Sequence, residues 1–424
     1  MFKKNLLPII LIFLIFSTPL YARDLSIDDA VTEAVKKSSQ VLSKVLEVED
    51  ATIDENTKYS ALYPSLGVSA TAYRANDVTS ALYTNYLYVS PTLSASFAFN
   101  PAMLTSLQTT SLSLENKVIS AEKAKSEIAL QIKKMYYGIV VQESALEFQK
   151  ENIEYMQHTL ENTEAAFENG DIPELNVLQL RSQISSQKAA YEQSVTSIAS
   201  QKRTLAFLIG LDDITEDLTL TDTLPAIFDD DLSTYTVKKA LDASYDLRSS
   251  RISRQILDVN KKALKQSIYM PSISLSVSYN PTWYVDNGTV NYYYDGGSMS
   301  ATVAFDITNM LVGSSSQTSL KKLDLSYEQL DLGNESITDN IILQFNTNME
   351  AAKNAKRQIE LSTESLQLSK QTFELTSLSY ENGYTTFSDL QSVQLSVSNA
   401  QLSLLQSQYS YVSALLDLED QCSQ

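Results

Sequence analysis

One cysteine, one histidine and one tryptophan occur in 424 residues, and glycine and proline number only ten and nine. The single thiol, Cys422, excludes an intramolecular disulfide and leaves no framework for a cysteine zinc site. The single imidazole, His158, forms no His-x-x-x-His pair, and any serine nucleophile would have to recruit it. It falls between Met156 and Leu160 beside an apolar seam and reads as a helix-surface histidine. There is no glycine-rich phosphate loop. The acidic groups Asp212-Asp213 with Glu216-Asp217, and Asp229-Asp230-Asp231, lack calcium-loop spacing and read as solvated turns. No catalytic constellation, metal site or cofactor site is expected. Basic residues are also scarce: 32 Lys+Arg stand against 51 Asp+Glu, a formal charge of -19. Nucleic acid is therefore a poor partner, and cations are favoured near any enclosed surface.

Long apolar runs are missing except at the start. Lys3 and Lys4 precede an unbroken apolar stretch from Leu6 to Phe16, with Pro19 and Ala22 following, the pattern of an export signal cleaved after Ala22. Its apolar core is well short of the ~18 to 20 residues that a spanning helix needs. Removing residues 1–22 takes two lysines and leaves 30 Lys+Arg against 51 Asp+Glu, a net charge of -21. No cysteine near the cleavage region offers a lipid anchor.

What is present is length without interruption. No proline lies between Pro101 and Pro173, and none follows Pro281. An interior proline costs a helix roughly 3 kcal/mol, so Ala102 to Glu168 predicts one helix of roughly 100 Å at ~1.5 Å per residue. Steps of four and three from Ile128 visit Ile132, Met135, Ile139, Gln142, Leu146, Gln149, Ile153, Met156, Leu160, Thr163 and Phe167, a coiled-packing seam. Adding 213 to each number gives a second seam from Ile341 to Tyr380. Both runs end alike, at Phe167-Glu168-Asn169-Gly170 and Tyr380-Glu381-Asn382-Gly383, where glycine supplies the left-handed residue that closes a helix. Further helices follow, Pro173 to about Ile209 and Thr386 to about Leu418. The pairs Ala30/Ala240, Pro64/Pro271 and Phe99/Phe305 track the same duplication. The chain thus divides into a first repeat, 23–211, an acidic linker, 212–234, and a second repeat, 235–424.

After Pro64 and Pro271 the period changes to two. Leu66, Val68, Ala70 and Ala72 alternate with Ser65, Gly67, Ser69 and Thr71; Ile273, Leu275, Val277 and Tyr279 alternate with serines. Their expected partners are Thr92 to Phe99 and Ser298 to Phe305, giving one strand hairpin per half, within 64–99 and 271–305. Aromatic residues crowd the ends: Tyr83, Tyr86, Tyr88, Trp283, Tyr284, Tyr292, Tyr293 and Tyr294. Apolar side chains to lipid, small polar ones to a lumen and an aromatic girdle at the interface are what an outer-membrane barrel needs. Asn287-Gly288 between Val285 and Val290 signals a tight hairpin. Four strands cannot close, since transmembrane barrels begin at about eight. Counting leaves a dimer of eight strands or a trimer of twelve open.

This layout resembles the TolC family of outer-membrane efflux proteins across nearly the whole mature chain. The resemblance rests on the helix start Leu25-Ser26-Ile27-Asp28-Asp29-Ala30-Val31 and the strand entries Tyr63-Pro64-Ser65-Leu66 and Met270-Pro271-Ser272-Ile273. The two Glu-Asn-Gly hairpins complete it. It implies a mostly α fold, a long helical barrel or coiled coil, with four strands per protomer completing a homotrimeric 12-stranded β-barrel. It also implies a channel in the cell outer membrane with most of the chain in the periplasm. Such a duct serves tripartite efflux or type I secretion, partnered by a periplasmic adaptor (membrane fusion) protein and an inner-membrane transporter of the RND or ABC type. Gly170 and Gly383 would mark the periplasmic tip, and the external loops would lie near Ala75 to Tyr86 and Asp286 to Gly297.

The family's gate maps onto Tyr380, three residues before the second tip glycine, and Asp389, six after it. Three copies of Asp389 would form an anionic ring; the plainer reading is a carboxylate at a helix start. Thr385 stands where the family has an arginine, Asn176 where the first hairpin has an acid, and Ser392 where a second ring carboxylate is expected. These departures put a salt-bridge latch in doubt, and Asp171 and Glu174 are further candidates for charge at the tip. An exported coiled-coil structural or adhesive protein would satisfy the heptads but leaves the serine-alternating strands and aromatic ends unexplained.

Overall fold

A computed structural model of the chain describes residues 23–76, 85–211, 213–214, 217–224, 231–286 and 289–423. The expected leader, Tyr83, the Asn287-Gly288 turn, Asp212, Glu216, Asp229 and Asp230 lie outside the described residues. At Ala75, Asn76, Asn85, Tyr86, Asp286 and Tyr292–Tyr294 only the backbone course is described.

In chain order the elements are β1 (Arg23–Leu25), α1 (Ile27–Lys37), α2 (Ser39–Thr57), β2 (Ser65–Asn76), β3 (Asn85–Phe99), α3 (Pro101–Glu168) and α4 (Glu174–Ile209). Next come β4 (Leu218–Leu220), α5 (Val237–Ala243), α6 (Tyr245–Tyr269), β5 (Ser272–Tyr279), β6 (Thr282–Asp286), β7 (Thr289–Tyr294) and β8 (Gly297–Ala304). The chain closes with α7 (Ser315–Glu381) and α8 (Phe387–Ser423).

The two longest helices, α3 at 68 residues and α7 at 67, run without a break. Each begins on a side-chain cap. Asn100 Oδ1 accepts from the Ala102 amide at 2.8 Å and Ser314 Oγ from the Gln317 amide at 3.2 Å, satisfying amides with no partner inside the helix. Pro101 occupies the first turn, where its missing N–H costs nothing. Along the second expected seam, Ile341 to Tyr380, no position is exposed; along the first only Phe167, at the hairpin end, is. Polar seam residues are tolerated where small hydroxyls find partners. Buried Thr163 donates to the Thr159 carbonyl, and buried Ser362 lies 3.4 Å from both Ser403 and Ser407.

The chain packs as two units. One contains residues up to Ser39, Ile128–Asp230 and Ala351–Leu416. Its core is built on Ile128, Ile132 and Ile139 of α3, Leu205 and Ile209 of α4, and Leu25, Ala30 and Ala34 at the start. The stretch expected to link the repeats contributes a strand: β4 pairs in parallel with β1, Arg23 opposite Leu218 and Leu25 opposite Leu220. Three residues of each are too few to stand out by periodicity. A buried tyrosine clamps the pair. The Tyr136 hydroxyl donates to Leu25 O (2.8 Å) or Asp222 Oδ2 (3.0 Å), and accepts from the Thr221 and Asp222 amides, each at 3.1 Å. Burial pushes its phenol pKa up, so the hydroxyl keeps its proton. Gly210 ends α4 with φ of 80°, and a Cβ there would lie 2.7 Å from the Lys37 carbonyl oxygen, so both conformation and space require glycine.

The other unit contains Gln40–Glu127, Asp231–Glu350 and the chain end from Asp417. Charged pairs stitch its helices: Lys117 with Glu47 (2.9 Å), Lys123 with Asp246 (2.6 Å), Lys261 with Asp324 (2.6 Å) and Arg254 with Asp331. Lys44 and Lys117 hold the Glu47 carboxyl down at about 2. These pairs are half-exposed, and each adds little.

The sheet of this unit has four ranks. β2 pairs antiparallel with β3, β3 with β5 and β6, β5 with β8, and β6 with β7. The two strands expected in the second half are each broken once, giving four segments. Pro281, which has no N–H to offer the ladder, separates β5 from β6, and the Asn280 amide bridges the break to Gly296 O at 2.7 Å. Among the described residues no helix is long and apolar enough to cross a membrane.

Tyr136→Phe removes the hydroxyl that accepts from the Asp222 amide and frees Leu25 from the clamp. The expected cost is about 1–3 kcal/mol of local stability. Amide hydrogen exchange at Arg23–Leu25 and Leu218–Asp222 reads it; unchanged protection there would rule out the clamp.

Candidate functional site

Register sorts the sheet into two faces of opposite chemistry. Ser65 lies opposite Ser96, Gly67 opposite Ser94, Ser69 opposite Thr92 and Thr71 opposite Ser90; β3 continues onto β5 with Ser94 opposite Ser278 and Ser96 opposite Ser276. β5 then faces β8 as Ser274 with Thr302, Ser276 with Ser300 and Ser278 with Ser298. Hydroxyls of facing strands bond each other: Ser65 with Ser96 at 2.6 Å, Ser276 with Ser300 at 2.7 Å and Ser278 with Ser298 at 2.9 Å. The opposite face carries Leu66, Val68, Leu93, Phe97, Ile273, Leu275, Val277, Met299 and Val303. Val68 is 84% exposed and Met299 79%, so this face is bare in the single chain. A contiguous apolar face of this kind demands a cover.

The same register divides the aromatic girdle expected from sequence. Trp283 pairs with Val89 and belongs to the apolar face. Tyr88 and Tyr284, which pair with each other, fall on the hydroxyl face, where Tyr73 joins them. Trp283 thus stands apart from Tyr88 and Tyr284, because alternation within a strand reverses the face at each residue. For Tyr86, Tyr292 and Tyr293 the strand position is described and the side chain is not.

At the other expected site, both hairpins turn identically. Gly170 (φ 82°) donates to Phe167 O at 2.9 Å and Asp171 to Ala166 O at 2.9 Å; Gly383 (φ 74°) donates to Tyr380 O at 2.9 Å and Tyr384 to Ser379 O at 2.8 Å. These are twin Schellman closures, in which the left-handed residue satisfies the last helical carbonyls. Tyr380, Thr385 and Asn176 come together with Tyr155, Thr159 and Asn162 around one cleft of about 650 Å³. Asp389 does not line it. Tyr380 is half-buried, its ring 6.0 Å from that of Phe387, and burial raises its pKa with the nearby Tyr155 adding to the shift. It is a neutral packing phenol here.

Asp389 completes a reciprocal cap on α8. Its Oδ2 accepts from Thr386 Oγ1 (2.6 Å), Thr385 Oγ1 (3.0 Å) and the Thr386 amide (3.1 Å), while Thr386 Oγ1 accepts from the Asp389 amide (3.2 Å). Those donors, Thr386 first, hold its carboxyl below the usual carboxylate range although it is exposed. The first hairpin lacks this cap, because Pro173 and Asn176 stand at the matching positions and Pro173 makes no side-chain cap bond. Thr385, at the position of the expected arginine, serves Asp389 instead.

Contacts between the hairpins near the tip are apolar or neutral. Met156, Leu180, Ile184 and Phe387 form a buried cluster with Leu160 and Tyr380 against it. Tyr155 meets Phe373 edge-on at 5.5 Å, and Gln394 Nε2 donates to Asn152 Oδ1 at 2.6 Å. Near the tip Arg181 pairs with Glu164 at 2.8 Å, within the first hairpin. Tyr155, Phe387 and Gln394 were missed by sequence reasoning; Phe387 and Leu390, both buried at i and i+3 on the first turn of α8, were the available signal.

The residues with chemistry to offer elsewhere are not assembled. His158 is exposed, 3.4 Å from Glu161, and burial raises the Cys422 thiol pKa. Among the described residues no group of His, Cys, Asp and Glu is placed to hold a metal ion.

A family model described as outer membrane efflux protein matches residues 30–211 and 236–420. The fold is similar to those of several solved structures. CusC aligns with a TM-score of 0.80 at 14% identity, over 93% of this chain and 91% of that one. The CmeC outer membrane channel of Campylobacter jejuni aligns at 0.79 and 15%, over 94% and 85%. The outer membrane protein VceC of Vibrio cholerae aligns at 0.73 and 17%, over 94% and 96%. No curated protein sequence matches.

Because its folded-state pKa is depressed, the Asp389 cap contributes stability that is present above the ordinary carboxylate range and lost as pH falls through the folded value. Amide protection at Thr386–Leu390 should therefore drop on acidification in the native chain. In Asp389→Asn that pH dependence should vanish while a weaker cap persists; identical profiles would show that the carboxylate charge does not matter.

Proposed function

The chain belongs to the outer membrane efflux protein family, and from that premise we propose that it works as a homotrimer whose three sheets close one barrel. The protein is an exit duct of efflux systems, seated in the outer membrane with its long helices in the periplasm. The observation that carries the trimeric reading is the four-rank sheet, bare on its apolar face and lined with hydroxyls on the other. β2 pairs on one side only, as do β7 and β8. In hydrocarbon those open edges must find partners, because unpaired backbone groups cost several kcal/mol each there. Two chains would supply eight strands, but the interior of so small a barrel is filled by side chains. Apart from the one row of Tyr73, Tyr88 and Tyr284, the rows of the hydroxyl face are mostly serine, threonine and glycine, too small to fill it. Three chains supply about twelve strands and a water-filled lumen.

On this reading the duct conducts and does not catalyse. A periplasmic adaptor and an inner-membrane transporter, of the RND or ABC type, supply the work in tripartite efflux or type I secretion. The hairpin tips form the periplasmic constriction, with Asp389, Tyr380, Asn176 and Thr385 around it. Three exposed Asp389 carboxylates, held ionised by their threonine donors, favour cations at that level. Closure rests on the apolar cluster around Phe387 and on neutral hydrogen bonds.

Detergent-extracted protein should migrate as a trimer that heat dissociates, and should give single-channel currents in planar bilayers. A soluble monomer without conductance would sink the duct and favour an exported coiled-coil envelope protein. Asp389→Asn should lower cation preference and raise conductance modestly; unchanged selectivity would remove Asp389 from the constriction.

A further inference from the structure

On the hydroxyl face, rows of serine, threonine and glycine give way at one level to rings. Tyr73 of β2, Tyr88 of β3 and Tyr284 of β6 occupy adjacent register positions, directly after the row of Thr71, Ser90 and Thr282. Tyr73 and Tyr88 stack with ring centroids 5.1 Å apart and planes 12° from parallel, and Tyr284 tilts against Tyr88 at 6.3 Å and 46°. The row next to them is tied by a Ser90–Thr282 hydroxyl contact of 2.5 Å. Tyr73 remains 49% exposed, so its ring is available on a face whose other rows are mostly serine, threonine and glycine. β2 joins the helical part at Ser65, and eight residues at ~3.3 Å each place Tyr73 roughly 26 Å along the strand, toward the hairpin end.

We propose that this tyrosine triad is a binding site for flat aromatic and organic cations in the outer part of the barrel lumen. The inference rests on the trimeric duct reading, under which three copies set nine rings at one level. Phenol faces carry negative quadrupole charge and attract cations, best when these are weakly hydrated and can also stack. The strongly acidic chain reinforces the preference for positive charge. Surrounding hydroxyls bond one another and give such a ligand no competing apolar surface. The duct is then not indifferent to what leaves it: aromatic cations are held briefly at the outer end, and small inorganic ions pass.

The test is single-channel recording of the full protein in planar bilayers, with potassium as the charge carrier and ethidium added as the probe. Ethidium should produce brief, concentration-dependent blocks in the native channel. Tyr88→Ser combined with Tyr284→Ser should weaken the apparent ethidium affinity by roughly five-fold or more and raise potassium conductance. Tyr88→Phe with Tyr284→Phe, which keeps the rings, should retain the block. Tyr73→Ser, the most exposed ring, gives an independent reading if the double serine variant does not assemble. Potassium currents with no ethidium block, or block unchanged by Tyr73→Ser and by the double serine variant, would overturn the site and leave the duct intact. Absence of potassium current in the native protein would instead overturn the duct itself.

Discussion

A sheet cannot end in hydrocarbon. Each N–H and C=O left on an edge strand costs several kcal/mol where no water can pair with it, and only closure removes the edge. The chain supplies four ranks of strand, too few to close. One of its sheet faces is hydroxyl and the other apolar, a division that suits a sheet separating water from lipid. The proposed trimer is the response to this constraint, and the duplication follows the same logic. Each half contributes one pair of ranks and one helical hairpin, so a three-fold assembly of doubled chains gives quasi-equivalent repeats around a common axis.

The duplication has not kept the two hairpins chemically equal. Their turns are the same Schellman closure, with Gly170 and Gly383 in matching conformation. Beyond the turn they differ: Thr386 and Asp389 cap α8 reciprocally, whereas Pro173 and Asn176 leave α4 without a side-chain cap. Proline at the head of α4 fixes the backbone in place of a hydrogen bond. The consequence for the tip is that one negative charge per chain is retained at Asp389. The contacts across the hairpins, through Phe387, Met156 and Gln394, carry no charge. Contacts of that kind are insensitive to salt, unlike exposed ion pairs.

Much was legible in the sequence because it depended on long repeats. The heptad from Ile128 and its counterpart from Ile341 predicted a seam that is buried or half-buried along its length, apart from Phe167. The Glu-Asn-Gly strings predicted both turns, since few residues besides glycine accept a positive φ. Serine alternation predicted two strand faces. What escaped was short or non-local. β1 and β4 span three residues each and are specified by the buried Tyr136, 111 residues from Leu25. Aromatic crowding at the strand ends says nothing of face, so only register placed Tyr88 and Tyr284 with the hydroxyls and Trp283 with the apolar side chains. The break at Pro281 was visible as a proline but not as a shared interruption bridged by Asn280.

By itself, then, the sequence determined the unbroken helices, the doubled plan, the glycine turns and the two chemistries of the strands. Each depends on backbone propensity or on side-chain period, and both are local properties of the chain. Tertiary structure alone decided that the two expected hairpins join through β3, and therefore which tyrosines share a face, and that Tyr136 locks the first strand to the linker. Those outcomes turn on register and on distances between residues far apart in sequence, and no pattern within one segment encodes them.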